Sequence, residues 1–293
     1  MYELIQLSEH DYFVDCPSKI GLVRFGENEV VAIDSGNNKD AAKKVLKHVD
    51  ANGWQLKAVY VTHSHADHIG GCRLMQDRTG CRVYARGLEC DFTNHPLLEP
   101  MSLYGGFPPE ELRSRFLMAQ ECKAEPLTEA SLPDGMTLLE LPGHSYDMMG
   151  FRTPDGNAFI GDSVSSAETL QTYGIGYLWD VGAYLRTLEV LPTIEAKQFI
   201  PAHAPVCTEI GPLAQLNQAA VQKTATQILT LCAEPTPFDE LLKRVFDAFG
   251  MTMTAEQYAL IGSTLRSYLS WLKAAGKAEY TIEENRMLWR SLC

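Results

Sequence analysis

A run of ten residues, THSHADHIGG at 62–71, contains four side chains that can bind a metal ion: His63, His65, Asp67 and His68. Imidazole and carboxylate groups suit a borderline divalent cation such as zinc, at about 2.0–2.2 Å. Three of the chain's eight histidines fall in this window, a concentration that disfavours an incidental polar surface loop. The run predicts a metal site, and ligands elsewhere in the chain decide whether it holds one ion or two.

The flanking segments predict how this run is held. Residues 56–61 are mostly β-branched, aromatic or apolar, which is typical of a buried strand. Residues 69–78 have apolar side chains at helical spacing and are followed by Gly80, so they predict a helix that ends at a glycine. We therefore expect the metal-binding run to form a strand-to-helix loop.

Each of three further short apolar segments is followed by one residue that can bind metal, namely His144, Asp162 and His203. Each would be ordinary alone, but their recurrence at the ends of predicted strands indicates one site built from several loops. Asp34 follows another predicted strand, and for it a turn former and a support for a metal-bound histidine are equally good interpretations. These loops predict a site at one edge of a layered sandwich.

The remaining pattern of the first two thirds alternates strands with helices. Strands are predicted at 2–7, 20–25 and 29–33, followed by a helix from 39 to about 52 that Asn38 caps. Such alternation is typical of the α/β class.

Residues 87–135 interrupt this alternation with an irregular, glycine-containing and aromatic segment. A helix is predicted there from 109 to about 122. An insertion of this kind is often a lid or a specificity element. Tyr104 and Phe107 within it, and Tyr173 in a later loop, are candidate substrate-lining residues, although core packing is the simpler interpretation of each.

The C-terminal part, residues 213–293, changes to three predicted helices followed by a hairpin, a pattern that resembles a winged-helix module. It contains equal numbers of basic and acidic residues, whereas a nucleic-acid face is normally basic. Homodimer formation or covering of the active site is therefore preferred over RNA binding, which stays open as an alternative.

Composition limits the remaining choices. The 293 residues exceed one typical domain, and 45% hydrophobic with 21% charged residues indicates a globular protein. A net charge of -12 disfavours general affinity for polyanions. The sequence has neither a signal-like N-terminus nor an 18-residue apolar run, so we expect a cytoplasmic protein that does not enter a membrane. Its eight cysteines form no CxxC pair and are interpreted as reduced, mostly buried thiols.

Over residues 1–212 these motifs resemble those of the metallo-β-lactamase fold superfamily. The HxHxDH run, Gly143-His144, Gly161-Asp162 and Ala202-His203 occur in the order typical of that family. The resemblance implies an α/β fold, specifically an αβ/βα four-layer sandwich, with residues 1–212 as the catalytic domain and metals at one edge. Residues 213–293 would then form a small winged-helix-like domain.

The resemblance also implies a role for each ligand. One divalent ion would be held by His63, His65 and His144. The second would be held by Asp67, His68 and His203. Asp162 would bridge the two ions, and Asp34 would support the site from behind. Zinc is the expected metal, with iron and manganese as alternatives.

The activity implied is that of a dinuclear hydrolase in which a metal-bridging hydroxide attacks a small-molecule thioester, ester or lactone. Asp67 would orient this water or return a proton. Asp162 disfavours β-lactam hydrolysis, because antibiotic-hydrolysing members usually have cysteine or another residue there. A phosphodiesterase or endoribonuclease, an iron-dependent oxidoreductase and a non-catalytic regulator are the alternatives.

Overall fold

A computed structural model describes residues 2–292 of the chain. Within them the strands are β1 Glu3–Gln6, β2 Asp11–Asp15, β3 Ile20–Phe25, β4 Glu29–Ile33, β5 Gln55–Tyr60, β6 Arg82–Ala85, β7 Ala124–Pro126, β8 Thr137–Glu140, β9 Met149–Arg152, β10 Asn157–Ser165, β11 Gln198–His203, β12 Thr236–Pro237, β13 Ala278–Glu283 and β14 Arg286–Ser291. The α-helices are α1 Lys39–Ala51, α2 Ala66–Ile69, α3 Cys72–Thr79, α4 Gly87–Asn94, α5 Leu98–Tyr104, α6 Ala167–Tyr173, α7 Val181–Val190, α8 Gly211–Leu231, α9 Phe238–Ala248 and α10 Ala255–Ala274.

Two mixed sheets form the centre of the molecule. The first contains seven strands in the order β1 to β7, antiparallel from β1 to β4 and parallel from β4 to β7. The second has the order β11-β10-β9-β8, with only the β10–β11 pair parallel. In the first sheet, the parallel strands β4 and β5 are followed by Asp34 and by the HxHxDH run. In the second sheet, the parallel strands β10 and β11 contain Asp162 and His203.

Alternation along the strands explains the layering. In β4, Val30 and Ala32 pack under α1 and α3, whereas Val31 and Ile33 face the second sheet. In β10, Phe159 faces the first sheet while its neighbour Ile160 joins the core under α7 and α8. Because side chains alternate across each sheet, helices cover both outer faces and the sheets share an apolar interior. The predicted αβ/βα four-layer sandwich is confirmed.

The predicted opening and first helix need small revisions. The strand Asp11–Asp15 was missed by the sequence prediction, which has only three strands before Asp34. The helix cap is as predicted, since the Asn38 side chain accepts hydrogen bonds from the backbone N–H groups of Asp40 and Ala41. The helix predicted at 69–78 is divided into α2 and α3, and Gly80 ends the second in the left-handed conformation.

The helix predicted at 109–122 is wrong, and α4 and α5 were not predicted. Only a 3-10 turn at Glu110–Arg113 forms in that stretch. Leu112 and Leu117 both pack in one small cluster with Ala259 of α10. Five helical residues turn through about 500°, which would place the two leucines on different faces, so joint burial requires irregular backbone.

The C-terminal helices and hairpin form as predicted, with the short strand β12 pairing with β14 in a third sheet. One continuous core contains side chains from β10 and α7 as well as from α8, α9 and α10. The domain boundary at 212/213 and the winged-helix comparison stay predictions.

Seven cysteines are free thiols, and all but Cys207 are buried, in agreement with the prediction. Cys293 lies outside the described residues. None of the helices in the described part of the chain has the length and apolar character needed to cross a membrane.

The interior between the sheets generates a stability prediction. Phe151 is fully buried there, and its ring centroid lies 5.8 Å from that of Tyr60. Phe151→Ala should lower the free energy of unfolding by about 3–5 kcal/mol, because it removes buried apolar surface and leaves a cavity. Phe107→Ala is the control, since that side chain is 69% exposed. Urea unfolding of both variants measures the difference, and equal losses would contradict the assigned interior.

Candidate metal centre

The loop after β5 is joined to the loop after β4 by a buried carboxylate. Asp34 follows β4 with a φ of 64°, a left-handed conformation that few residues other than glycine and Asn or Asp adopt. Its side chain accepts hydrogen bonds from the backbone N–H and the hydroxyl of Thr62, each 2.8 Å long, and from Nδ1 of His68 at 2.8 Å. One carboxylate therefore fixes the start and the end of the metal-binding run.

Four histidines have the same hydrogen-bond arrangement at the rear of the ring. Nδ1 of His68 donates to Asp34, and Nδ1 of His63 lies 3.0 Å from the Thr62 hydroxyl, whose own proton goes to Asp34. Nδ1 of His144 faces the Tyr177 carbonyl and Nδ1 of His203 the Pro17 carbonyl. With Nδ1 directed to the rear in each ring, Nε2 is the nitrogen that faces the centre and can bind a cation once it has no proton.

His65 is turned the other way. Its Nδ1 lies 3.0 Å from Nε2 of His144, inside the cluster, whereas its Nε2 lies 3.6 Å from the Glu99 carboxylate. All five rings therefore present one nitrogen to a shared centre and the other to an oxygen or a carboxylate of the surrounding structure. This is the arrangement that orients metal-binding histidines.

Two glycines let the other ligand segments approach. Gly143, before His144, has a φ of 119°, and a Cβ there would lie 2.1 Å from the backbone nitrogen of Tyr184 in α7. Gly161, with a φ of 50°, marks a register shift in β10. Asp162 follows inside β10 rather than beyond its end, which revises the predicted position, and His203 is the last residue of β11.

The seven predicted ligands converge. The donor atoms form three groups, and inside each group the atoms lie within 4.8 Å of one another. The groups are His63 with His65 and His144, His63 with His68 and Asp162, and Asp67 with His68 and His203. The carboxylate of Asp162 lies between the outer groups, with Oδ2 3.4 Å from Nε2 of His144 and 3.3 Å from Nε2 of His203.

These distances fit cation binding. Ligand atoms about 2.0–2.1 Å from a tetrahedral zinc ion lie about 3.3 Å apart. The 3.0 Å from His65 to His144, and the 3.1 Å from Asp67 Oδ2 to His203 Nε2, are of this size. Nε2 of His63 is buried without a hydrogen-bond partner, which a cation would supply, and among the described residues Oδ1 of Asp162 has only Nε2 of His68 nearby, at 3.1 Å. The residues therefore fit divalent cations.

The electrostatics of the cluster divide it into two parts. Burial, together with the neighbouring histidines, holds the pKa of His63 well below its usual value and lowers that of His65 to about 3. The Asp162 carboxylate raises the pKa of His203 to about 10. Burial opposes a raised pKa of His68, but Asp162, Asp67 and Asp34 outweigh it. A cation must displace protons from the second pair, so binding weakens in acid.

A second buried carboxylate, Glu89 of α4, was missed by the sequence analysis. It accepts from the backbone N–H and the hydroxyl of Ser64, at 2.8 and 2.6 Å, and from the Ser145 hydroxyl and the Asp147 N–H, at 2.7 and 3.0 Å. Burial raises its pKa, while the hydrogen bonds from Ser64 and Ser145 lower it. Glu89 thus joins the loop of His63 to the loop of His144. An acidic residue within an irregular insertion gave no sequence signal for this.

A cavity of about 620 Å³ opens onto the cluster. Tyr173 lines it and is 62% exposed, and its contact with a substrate stays a prediction. Tyr104 and Phe107 are exposed and do not line this cavity. Residues of α8 and α10 also form part of the wall. The sequence predicted that the C-terminal part could cover the active site but did not indicate which residues would do so.

The family model of the metallo-beta-lactamase superfamily matches residues 14–203. The chain belongs to this superfamily. A hydroxyacylglutathione hydrolase of Cereibacter sphaeroides is 30% identical over 173 residues, covering 57% of this chain and 54% of the relative. One from Methylococcus capsulatus is 30% identical over 175 residues, covering 59% and 56%. The chain thus spans about half the length of the curated relatives it matches.

Solved structures in the superfamily extend the similarity to the whole chain at the level of fold. A metallo-beta-lactamase family protein of Thermus thermophilus has a TM-score of 0.72 at 17% identity, covering 98% of this chain and 97% of that one. A beta-lactamase domain protein of Burkholderia ambifaria has a TM-score of 0.75 at 15% identity, covering 99% and 94%. The C-terminal helices are therefore included in both superpositions.

Glu89 generates a prediction about metal affinity. Glu89→Gln should lower the free energy of unfolding by about 3 kcal/mol, because the NH₂ group of the new glutamine side chain would face buried N–H and O–H donors that now bond to the Glu89 carboxylate. Zinc affinity should fall about 10- to 100-fold, because the two ligand loops lose their common acceptor. Urea unfolding and competition with a chelator measure the two effects. Glu111→Gln is the control, being exposed in the same segment. Unchanged zinc affinity in Glu89→Gln would refute the positioning role.

Proposed function

We propose that this protein is a metal-dependent hydrolase that holds two divalent ions, zinc foremost, and cleaves a small-molecule thioester, ester or lactone. The observation on which this depends is the pair of three-residue donor groups separated by the Asp162 carboxylate, at the end of an open cavity. Cavities of about 300–1,000 Å³ suit small ligands.

The protein's own side chains have separable tasks in this proposal. A bound pair of divalent cations would lower the pKa of a water to about 7 and stabilise developing negative charge. His63, His65 and His144 would hold one ion, and Asp67, His68 and His203 the other, with Asp162 between them. Asp34 would orient His68 by accepting its Nδ1 proton.

Asp67 is the residue we propose for proton transfer. Its side chain is 41% exposed, lines the cavity and lies 3.1 Å from His203 and 3.5 Å from His68. Those histidines hold its pKa well below the usual value, although burial alone would raise it. An ionised Asp67 at the cavity wall can accept a hydrogen bond from an attacking water, and in this proposal it relays the proton of that water to the leaving group.

Similarity supports an acyl substrate. The relatives from Cereibacter sphaeroides and Methylococcus capsulatus are named for hydrolysis of hydroxyacylglutathione, which is a thioester. The predicted alternatives, a phosphodiesterase or endoribonuclease and an iron-dependent oxidoreductase, lack a comparable supporting observation in the described residues. RNA binding, homodimer formation and a cytoplasmic location stay predictions.

Activity profiling tests the proposal. Zinc-loaded protein should hydrolyse members of a panel of thioesters, esters and lactones, and removal of metal by a chelator should abolish turnover. Asp67→Asn should lower kcat by about 100-fold or more, because it removes a proton acceptor. Metal content is measured on the same samples by mass spectrometry, to separate this effect from loss of an ion.

Asp91→Asn, an exposed change outside the site, is the matched control. Turnover of RNA but of no acyl compound would replace this proposal with the phosphodiesterase alternative.

A further inference from the structure

The cavity extends beyond the metal-binding cluster into the space between α8 and α10. On α8 it is lined by Asn217, Ala220, Val221 and Thr224, which share one helical face because their spacing is three and four residues. From Asn217 to Thr224 this face is about 10 Å long. Its start is fixed to the site, since Asn217 bonds the backbone N–H and carbonyl of Ser165, three residues after Asp162.

The opposite wall is mostly apolar. Leu260, Ile261 and Tyr268 of α10 line it, together with Leu170 and Ile175 from α6 and the loop after it. Of these, Ile175, Ile261 and Tyr268 are buried. An elongated ligand that entered this arm would therefore meet hydrocarbon and ring surface on most sides.

The polar side chains of α8 that line this arm are already hydrogen-bonded within the protein. Asn217 bonds Ser165 and accepts from the Tyr184 hydroxyl at 3.3 Å. The Thr224 hydroxyl donates to the Ala220 carbonyl at 3.0 Å and lies within bonding reach of Tyr268. Among the described lining residues, the buried side-chain atoms without a partner belong to Glu99 and Asp162, both at the metal end. The polar side chains of α8 are therefore engaged within the protein before a ligand enters.

The mouth has a different character. Arg115 and the exposed rings of Phe116 and Tyr173 line the cavity where it meets solvent. A polar leaving group can remain hydrated there, whereas a hydrocarbon gains about 0.8 kcal/mol for each methylene that it buries in the arm. The mouth thus favours the polar leaving group of an acyl compound, and the arm favours its hydrocarbon chain.

We propose that the arm between α8 and α10 binds the hydrocarbon chain of an acyl thioester, so that the substrate class is medium-chain acyl thioesters. This inference rests on the proposed function. Water adds to the acyl carbon, the carbon–sulfur bond breaks, the carboxylic acid retains the chain in the arm and the thiol leaves through the mouth with a proton.

Two neighbouring alanines of α8 provide matched variants. Ala220 lines the cavity, whereas Ala219 is exposed and does not. Ala220→Trp should fill the arm, while Ala219→Trp adds the same ring outside it. Val221→Ala enlarges the arm at a second position, so the test does not depend on one variant folding.

The test measures kcat/KM of zinc-loaded protein for one thiol esterified from acetyl to dodecanoyl. For wild type and Ala219→Trp we expect a rise of about fourfold for each added methylene until the arm is full. Ala220→Trp should lose the rise, and Val221→Ala should move the optimum to longer chains. A flat profile in wild type, or equal profiles in the two tryptophan variants, would overturn the inference.

Binding of decanoic acid to the zinc-loaded protein, measured by calorimetry, separates this inference from the proposed function. We expect one site per chain that Ala220→Trp weakens about tenfold or more. If no thioester, ester or lactone is hydrolysed but decanoate binds in this way, the acyl-binding arm stands and the hydrolase proposal fails. If thioesters are hydrolysed without chain-length dependence and decanoate does not bind, the hydrolase proposal stands and the arm assignment fails.

Discussion

The structure depends on one electrostatic constraint. Five imidazoles and two carboxylates are brought together where the edges of two sheets meet, and they have few other partners there. Burial disfavours every charge among them, and they cannot satisfy one another completely, as the His63 Nε2 without a hydrogen-bond partner shows. Divalent cations would resolve this conflict. The contacts around the cluster orient the rings for this purpose. In each ring the outer nitrogen faces a polar group of the surrounding structure, and the other nitrogen faces the centre.

The sheets account for how residues as distant in sequence as His63 and His203 meet. Parallel neighbours end at the same edge, so the loops after β4 and β5 lie together, as do the C-terminal ends of the strands β10 and β11. Asp34 joins the first pair of loops, and Glu89 joins the HxHxDH loop to the loop of His144. The C-terminal helices then add α8 and α10 as a wall, which gives the site a long apolar extension rather than an open face.

Much of this could be predicted from the sequence, for identifiable reasons. The ligands are recognisable because the HxHxDH spacing is dense and because single His or Asp residues recur after short apolar strands. The cap at Asn38 follows from local chemistry, and in both cases the information lies within a few neighbouring residues. The four layers were implied by the resemblance of these motifs to the superfamily.

The remainder depends on distant contacts. Glu89 and Glu99 are ordinary acidic residues locally, and only the folded chain buries them against Ser64, Ser145 and His65. The false helix at 109–122 arose because its composition suits a helix, whereas packing of Leu112 and Leu117 on α10 decides otherwise. The apolar arm was equally hidden, because Asn217 and Thr224 look polar until their partners are known.

Anomalous diffraction at the zinc absorption edge, from a crystal of the zinc-loaded protein, would locate the bound ions. We expect two peaks per chain, one among His63, His65 and His144 and one among Asp67, His68 and His203, with the Asp162 carboxylate between them. A site without bound zinc, or zinc held by other residues while these side chains point apart, would contradict this expectation.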